Sequence, residues 1–283
     1  MKERISISVD DGILKKIDSL IDGIIVKDRN NAIERLLTKA IGLDRPKTGV
    51  ILAGGMGTRL KPITTEIPKP LVPVQGKPIL EHNIELLRLH DIKDIIISIG
   101  YKGEMIREYF GDGRKFGVNI FYVEEKEPLG TAGPLRLAEA LLQSSFVLMN
   151  GDELKDIDLF EMFHCHKEHH AWGTIALTEV ADPVSYGCAK LDGEKILAFI
   201  EKPSKGKEPS SLINSGLYIL EPDVIGLIPN KNCSIEKEIF PKLAEKGVLY
   251  GFKFNGQWFD TGTFERLETA IQNWNGYTQR RLL

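Results

Sequence analysis

Hydrophobic and polar positions change their rhythm along the chain. In Arg4-Ile5-Ser6-Ile7-Ser8-Val9 they alternate with period two, which puts Ile5, Ile7 and Val9 on one face of a strand and Arg4, Ser6 and Ser8 on the other. The period then lengthens. Leu14, Ile17, Leu20 and Ile21 recur at helical spacing behind Asp10 or Asp11, either of which can cap a helix running to Gly23. Ile33, Leu36, Leu37 and Ala40 repeat the pattern behind Asp28. From residue 49 the apolar runs become continuous, predicting buried strands at 49–53, 94–99, 118–123 and 145–149. Helical stretches at 78–90, 103–110 and 131–142 separate them, and shorter β-rich runs fill 171–260. Strand and helix in alternation predict an α/β fold: a mostly parallel sheet, helices on both faces, and ligand at the carboxyl ends of the strands.

Residues 1–43 form a module of their own. One strand and two helices cannot cover their own apolar surface, and the strand has no partner within the segment, so a second copy is expected to supply one. The segment resembles a ribbon-helix-helix module, in which two chains pair their strands and interlock four helices. That resemblance implies a homodimer, with Arg4, Ser6 and Ser8 facing a DNA major groove and Asn30 near phosphate at the start of the second helix. The charge pattern suits DNA poorly, because residues 1–48 hold ten Lys/Arg against eight Asp/Glu and Asp28 stands where phosphate would come. Residues 44–48, Asp44-Arg45-Pro46-Lys47-Thr48, read as the linker, and 49–283 as the second domain.

The chemistry concentrates just after the first strand of that domain. Gly49-Val50-Ile51-Leu52-Ala53 leads into Gly54-Gly55-Met56-Gly57-Thr58-Arg59-Leu60-Lys61-Pro62, and Pro68-Lys69-Pro70 follows. Glycines there let backbone N–H groups converge on an anion, and Arg59 and Lys69 supply fixed cations. The spacing matches neither a Walker loop, which ends in Gly-Lys-Ser/Thr, nor a dinucleotide loop. Four prolines, Pro62, Pro68, Pro70 and Pro73, argue against a helix through 60–74 and predict an extended wrap that carries Arg59 and Lys69.

The loop resembles the signature of the sugar-1-phosphate nucleotidyltransferases. Further motifs of that family follow in its order: Leu129-Gly130-Thr131-Ala132-Gly133, Asn150-Gly151-Asp152, Tyr186-Gly187, Glu201-Lys202-Pro203, Asn214-Ser215-Gly216 and Trp258-Phe259-Asp260-Thr261-Gly262. The resemblance runs from about 49 to 275. It implies a Rossmann-like domain with a β-rich sugar-binding half.

It also implies a reaction in which a phosphate oxygen of a sugar 1-phosphate attacks the α-phosphorus of a nucleoside triphosphate and pyrophosphate leaves. Both reactants are anions, so charge must be neutralised and the groups held in line. By the resemblance, Arg59, Lys69, Asp152 and Lys202 carry the chemistry, with Lys69 at the α-phosphate and Lys202 at the sugar phosphate. Leu52, Ala53, Gly54, Gly55, Gly57, Thr58, Tyr101, Gly130, Thr131 and Ala132 would hold the nucleotide. Gly187, Glu201, Lys202 and Asn214 would hold the sugar phosphate. Asp152 and Asp260 are the expected Mg²⁺ ligands, since this ion takes oxygen donors and few carboxylates beside substrate phosphates. Glu125-Lys126-Glu127-Pro128-Leu129-Gly130-Thr131-Ala132-Gly133-Pro134-Leu135 and Ser234-Ile235-Glu236-Lys237-Glu238-Ile239-Phe240-Pro241 are most similar to the mannose-1-phosphate guanylyltransferases. They favour GTP and mannose 1-phosphate over uridylyl, thymidylyl or heptose-specific guanylyl alternatives. A reading of another class, a DNA-binding regulator that senses nucleotide sugars, is weakened by the intact cation and carboxylate set.

Composition adds boundaries rather than content. The 283 residues carry a formal charge of −3 and 42% hydrophobic residues, an ordinary globular balance that confines any nucleic-acid binding to a local patch. Met1-Lys2-Glu3-Arg4 is charged and no apolar run reaches about eighteen residues, so neither a secretory leader nor a spanning helix is expected, and the expected location is cytoplasmic. No β-helix repeat is evident, and regulation through such a tail is not expected. Cys165, Cys188 and Cys233 are scattered and read as reduced packing residues. His166 and His170 have chelating spacing, yet the charged segment around them reads as the polar face of a surface helix.

Overall fold

The structure is a computed structural model that describes residues 6–23, 26–40 and 45–278. It divides into two compact units, Met1–Arg45 and Pro46–Leu283.

The first unit contains α1 (Asp11–Asp18) and α2 (Arg29–Ala40). Both predicted caps form: Asp10 Oδ1 accepts from the Gly12 amide at 2.8 Å, and Asp28 Oδ1 accepts from the Asn31 amide at 2.8 Å. Helix α1 stops at Asp18, short of the predicted Gly23, because the chain turns there; Leu20 and Ile21 bond back to the Ile17 and Asp18 carbonyls. Arg29 then grips the Asp18 carboxylate through Nε and Nη2 at 2.7 and 2.6 Å, tying the start of α2 to the end of α1. Residues 6–10 make no strand in the single chain, since a strand without a neighbour has nothing to bond to. Arg4 lies outside the described residues, whereas Ser6, Ser8 and Asn30 are exposed. Ile7, Ile13 and Leu37 are at least half exposed, which leaves an apolar surface uncovered.

The second unit begins with β1 (Thr48–Leu52), α3 (Ile63–Glu66), β2 (Pro73–Val74), β3 (Lys77–Pro78), α4 (Ile79–Leu89), β4 (Asp94–Ile99), α5 (Gly103–Phe110) and β5 (Asn119–Glu124). It continues through α6 (Gly133–Leu137), β6 (Phe146–Asn150), β7 (Glu153–Lys155), α7 (Leu159–Glu168), β8 (Gly173–Glu179), β9 (Gly187–Asp192), β10 (Lys195–Glu201) and β11 (Leu212–Leu220). Helix α8 (Phe240–Glu245), β12 (Leu249–Lys253), β13 (Trp258–Asp260) and α9 (Phe264–Asn273) complete it.

Nine strands share one sheet in the order β5-β4-β1-β6-β11-β8-β12-β10-β9. The first four are parallel, with Val50 opposite both Ile96 and Leu148. From β11 onward the sheet is mixed, which corrects the expectation of a mostly parallel one. Parallel neighbours need a long crossover, and the later chain offers hairpins instead: β9 turns into β10 around Lys195 opposite Asp192, and β11 runs antiparallel to both β6 and β8. The edge strand β9 also folds back to meet β11 at Cys188 opposite Ile213.

Both faces of the sheet are covered, as its apolar runs require. Val50, Ile96, Leu148 and Tyr218 point into one core with Leu135 of α6 and Leu243 of α8; Ile51, Ile97, Met149 and Leu217 point into the other with Ile84, Ile106 and Met162 of α4, α5 and α7. Helix α7 is not the polar surface helix that its charges suggested. Cys165 and His166 are buried, and the His166 ring nitrogens meet Thr174 Oγ1 at 2.8 Å and Glu221 Oε1 at 3.2 Å, so its role is in packing and hydrogen bonding.

Residues 58–71 also depart from expectation. Pro62, Pro68 and Pro70 do not force an extended wrap, because they sit at the starts of single helical turns, where a missing N–H costs nothing, and only Pro73 lies in a strand, β2. Arg59 and Lys69 each ride on a 3₁₀ turn, and the turns close over a small third core built on Leu60, Val72, Leu154 and Trp274. Among the described residues no helix is long and apolar enough to cross a membrane.

Candidate active site

A cleft of about 640 Å³ opens at the carboxyl ends of β1 and β6. The glycine loop forms one of its walls. As β1 ends, the Ala53 amide bonds to the Ser98 carbonyl and the Gly54 carbonyl accepts from Tyr101, which fixes the loop against β4. Leu52, Ala53, Gly54, Gly55, Gly57, Thr58 and Arg59 all line the cleft, and Gly130 and Thr131 face it from the turn before α6. Gly130 has a φ of 77°, and a Cβ there would fall 2.4 Å from the Cys233 carbonyl oxygen, so only glycine lets these two backbones touch.

Lys69 and Asp152 form the centre. Lys69 Nζ lies 2.6 Å from Asp152 Oδ2, with the lysine side chain 7% exposed and the aspartate 39% exposed. Burial favours the neutral acid at Asp152, but the Lys69 charge and hydrogen bond, helped by Lys155 and Arg59, hold its carboxyl below the usual range. Asp152 ends up here because Gly151 bonds to Leu52 at the tip of β1, and because the Thr261 hydroxyl donates to the Asp152 carbonyl at 2.7 Å. Strands β7 and β13 pair with Asp260 opposite Glu153, so Asp152 and Asp260 come to the same cleft from adjacent strands. Two carboxylates there suit a hard divalent cation, and one Asp152 oxygen takes no hydrogen bond among the described residues.

The far wall carries Gly187, Glu201, Lys202, Asn214 and Gly216. Burial, then the nearby Glu236 charge, pushes the Glu201 carboxyl upward. Lys202 Nζ stands 3.9 Å from Glu201 and is largely exposed. The Asn214 amide faces the protein: it donates to the Tyr218 hydroxyl and accepts from the Gly216 amide, both at 2.9 Å. The Thr131 hydroxyl likewise donates to Glu236 at 2.6 Å and accepts from the Ile235 amide. Two expected nucleotide residues are placed off the cleft wall: Ala132 is buried behind it, and the Tyr101 hydroxyl donates to the Thr64 carbonyl at 3.1 Å.

Several cleft residues escaped the sequence reading. Glu125, beside Gly54, accepts from Ser98 Oγ and from the Leu129 amide. Glu153 accepts from Asn150 and from the Trp258 indole, both at 2.9 Å, and burial pushes it up to about 7. Tyr186, Glu236 and Arg266 line the cleft too, as do Asn150, Ser185 and Lys237. Tyr186 and Glu236 stood inside recognisable motifs, and Glu153 follows Asp152 directly. Nothing in the sequence marked Arg266, because it reaches the cleft only through the direction in which α9 starts.

The model of the Nucleotidyl transferase family matches residues 48–275. The mannose-1-phosphate guanyltransferase of Yarrowia lipolytica is 43% identical over 76% of this chain and 60% of its own length. The mannose-1-phosphate guanylyltransferase catalytic subunit beta of Danio rerio is 42% identical over 75% and 60%. The chain thus spans about 60% of the length of these curated relatives. The crystal structure of HddC from Yersinia pseudotuberculosis complexed with GMP-PN superposes with a TM-score of 0.69 at 31% identity, covering 81% of this chain and all of that one. With the family model spanning the whole sheet and every wall of the cleft, the chain belongs to the nucleotidyl transferase family.

Proposed function

We propose that this chain transfers a nucleoside monophosphate from a nucleoside triphosphate to a sugar 1-phosphate, with GTP and mannose 1-phosphate as the favoured pair. The observation that carries the reading is the contact of Lys69 with Asp152 in a cleft that Arg59, Lys202 and the glycine loop also line. A phosphate oxygen of the sugar 1-phosphate attacks the α-phosphorus, the bond from that phosphorus to the bridging oxygen breaks, and pyrophosphate leaves with its charge held by the loop amides and Arg59. The attacking phosphate is already ionised at neutral pH, so no protein base is required. Lys69 neutralises the α-phosphate and Lys202 the sugar phosphate. Asp152 and Asp260 would hold Mg²⁺, which when bound supplies charge compensation between the phosphates. GTP and mannose are favoured by the printed names of the 42–43% identical relatives and by the guanine nucleotide in the HddC complex.

Residues 1–43 would act as a ribbon-helix-helix-like clamp that pairs two copies, which the exposed Ile7, Ile13 and Leu37 support. Pyrophosphate release, measured with each triphosphate against a panel of sugar 1-phosphates and Mg²⁺, tests the assignment. Release with GTP and mannose 1-phosphate supports it. Turnover with no pair, together with specific DNA binding by the full chain, would make the larger unit a sensor instead.

A further inference from the structure

Arg266 is a cation in the cleft that the reaction described above does not use. Thr263 caps α9, and the third residue of that helix, Arg266, turns back over the Asp260–Gly262 corner. Its Nη1 donates to Asp260 Oδ2 at 2.5 Å, while Asp260 Oδ1 accepts from the Gly262 amide at 2.6 Å. Both oxygens of the Asp260 carboxylate are therefore engaged before any cation arrives. The guanidinium has somewhere else to go. It lies 5.0 Å from the Tyr186 ring centre, its side chain is 33% exposed, and it also lines an adjoining cavity of about 570 Å³. Glu179 and Trp258 are among the residues lining that second cavity, so it offers a displaced guanidinium an acidic and an aromatic neighbour.

We propose that Arg266 is a positioning residue that stands in for the divalent cation at Asp260, holding the carboxylate until the cation arrives and then yielding it toward the adjoining cavity. The proposal rests on the reading of Asp260 as a metal ligand. A cation approaching Asp260 must displace or repel a positive charge already seated there, so the site discriminates against bare cation and is completed once triphosphate brings compensating negative charge.

The test is Mn²⁺ binding to the full-length, nucleotide-free protein, followed by electron paramagnetic resonance of the free ion. Arg266→Gln, which keeps length and polarity without charge, is expected to bind Mn²⁺ about tenfold more tightly than the parent, and Arg266→Ala the same. Arg266→Lys, which keeps the cation, is expected to stay within about threefold of the parent. Asp260→Asn is expected to weaken binding and to erase the gain in the Arg266→Gln background. A gain in affinity separates this role from a structural one, since a loosened fold does not create a tighter site. If Asp260→Asn weakens binding but Arg266→Gln leaves it unchanged or weaker, the role of Arg266 is wrong while the metal reading stands. If Asp260→Asn has no effect in either background, the metal reading fails and takes this inference with it.

Discussion

Gly216 is where backbone geometry and cleft architecture meet most tightly, and Gly216→Ala is the sharpest test of the packing described. Its φ is 63°, and a Cβ there would lie 2.4 Å from Glu153 Oε1 and 2.5 Å from Asn150 Nδ2. The left-handed conformation costs an alanine about 1–2 kcal/mol. The clash adds to this, because Glu153 cannot simply swing away: Asn150 and the Trp258 indole each hold it at 2.9 Å. Overpacking of this kind costs about 1–3 kcal/mol, for a combined loss of about 2–5 kcal/mol. At about 2–4 °C per kcal/mol for a unit of this size, the melting temperature should fall by roughly 4–20 °C. Thermal and urea unfolding of the purified variant read this directly. Glu153→Ala in the same chain removes the Glu153 contact and releases Asn150, whose amide donates to Glu153, leaving mainly the backbone cost, so a double-mutant cycle should return a coupling of about 1–3 kcal/mol. A Gly216→Ala protein that unfolds within 2 °C of the parent, or a cycle that is additive, would refute the account.

Three further outcomes are expected. Lys69→Met should lower kcat about 100- to 1,000-fold, with only about 1–2 kcal/mol of lost stability because Asp152 is more than a third exposed; steady-state kinetics within threefold of the parent would exclude Lys69 from the chemistry. Burial disfavours the Glu221 anion, but hydrogen bonds from His166, Lys167 and Ser145 bring its carboxyl down to about 2, so it contributes stability above the ordinary glutamate range that is lost as pH falls toward 2. Glu221→Gln should therefore cost about 3 kcal/mol at pH 7 and nearly nothing at pH 2, whereas an offset in melting temperature that does not change with pH would contradict the assignment. A chain of residues 46–283 should retain turnover and sediment as a monomer where the full chain sediments as a dimer; a truncated chain that still sediments as a dimer would remove the clamp role from residues 1–43.

The elements that were legible in the sequence are those whose patterns are local. Strands β1, β4, β5 and β6 and helices α4 and α5 lie within two residues of their predicted limits, because an apolar run buried on both faces and a helical repeat each leave a trace in neighbouring positions. The caps at Asp10 and Asp28 were legible for the same reason. Helix α7 was misread because His166 and Lys167 meet partners on other elements: Thr174 lies on the following strand, and Glu221 is distant in sequence and close to them only in space. Pro62, Pro68 and Pro70 were misread as forbidding helix when, placed at first turns, they permit it.

The sequence by itself determined the chemistry available: glycines followed by fixed cations, aspartates behind strand ends, and the order in which these occur. Only the tertiary structure decided how that chemistry is arranged. It turned the amide of Asn214 and the hydroxyl of Thr131 toward the protein, placed Lys69 on Asp152, and seated Arg266 on Asp260. The reason is physical. Backbone periodicity is written in neighbouring residues, whereas the partner of a charged side chain is set by whichever strand and helix ends the folded sheet brings within a few ångströms.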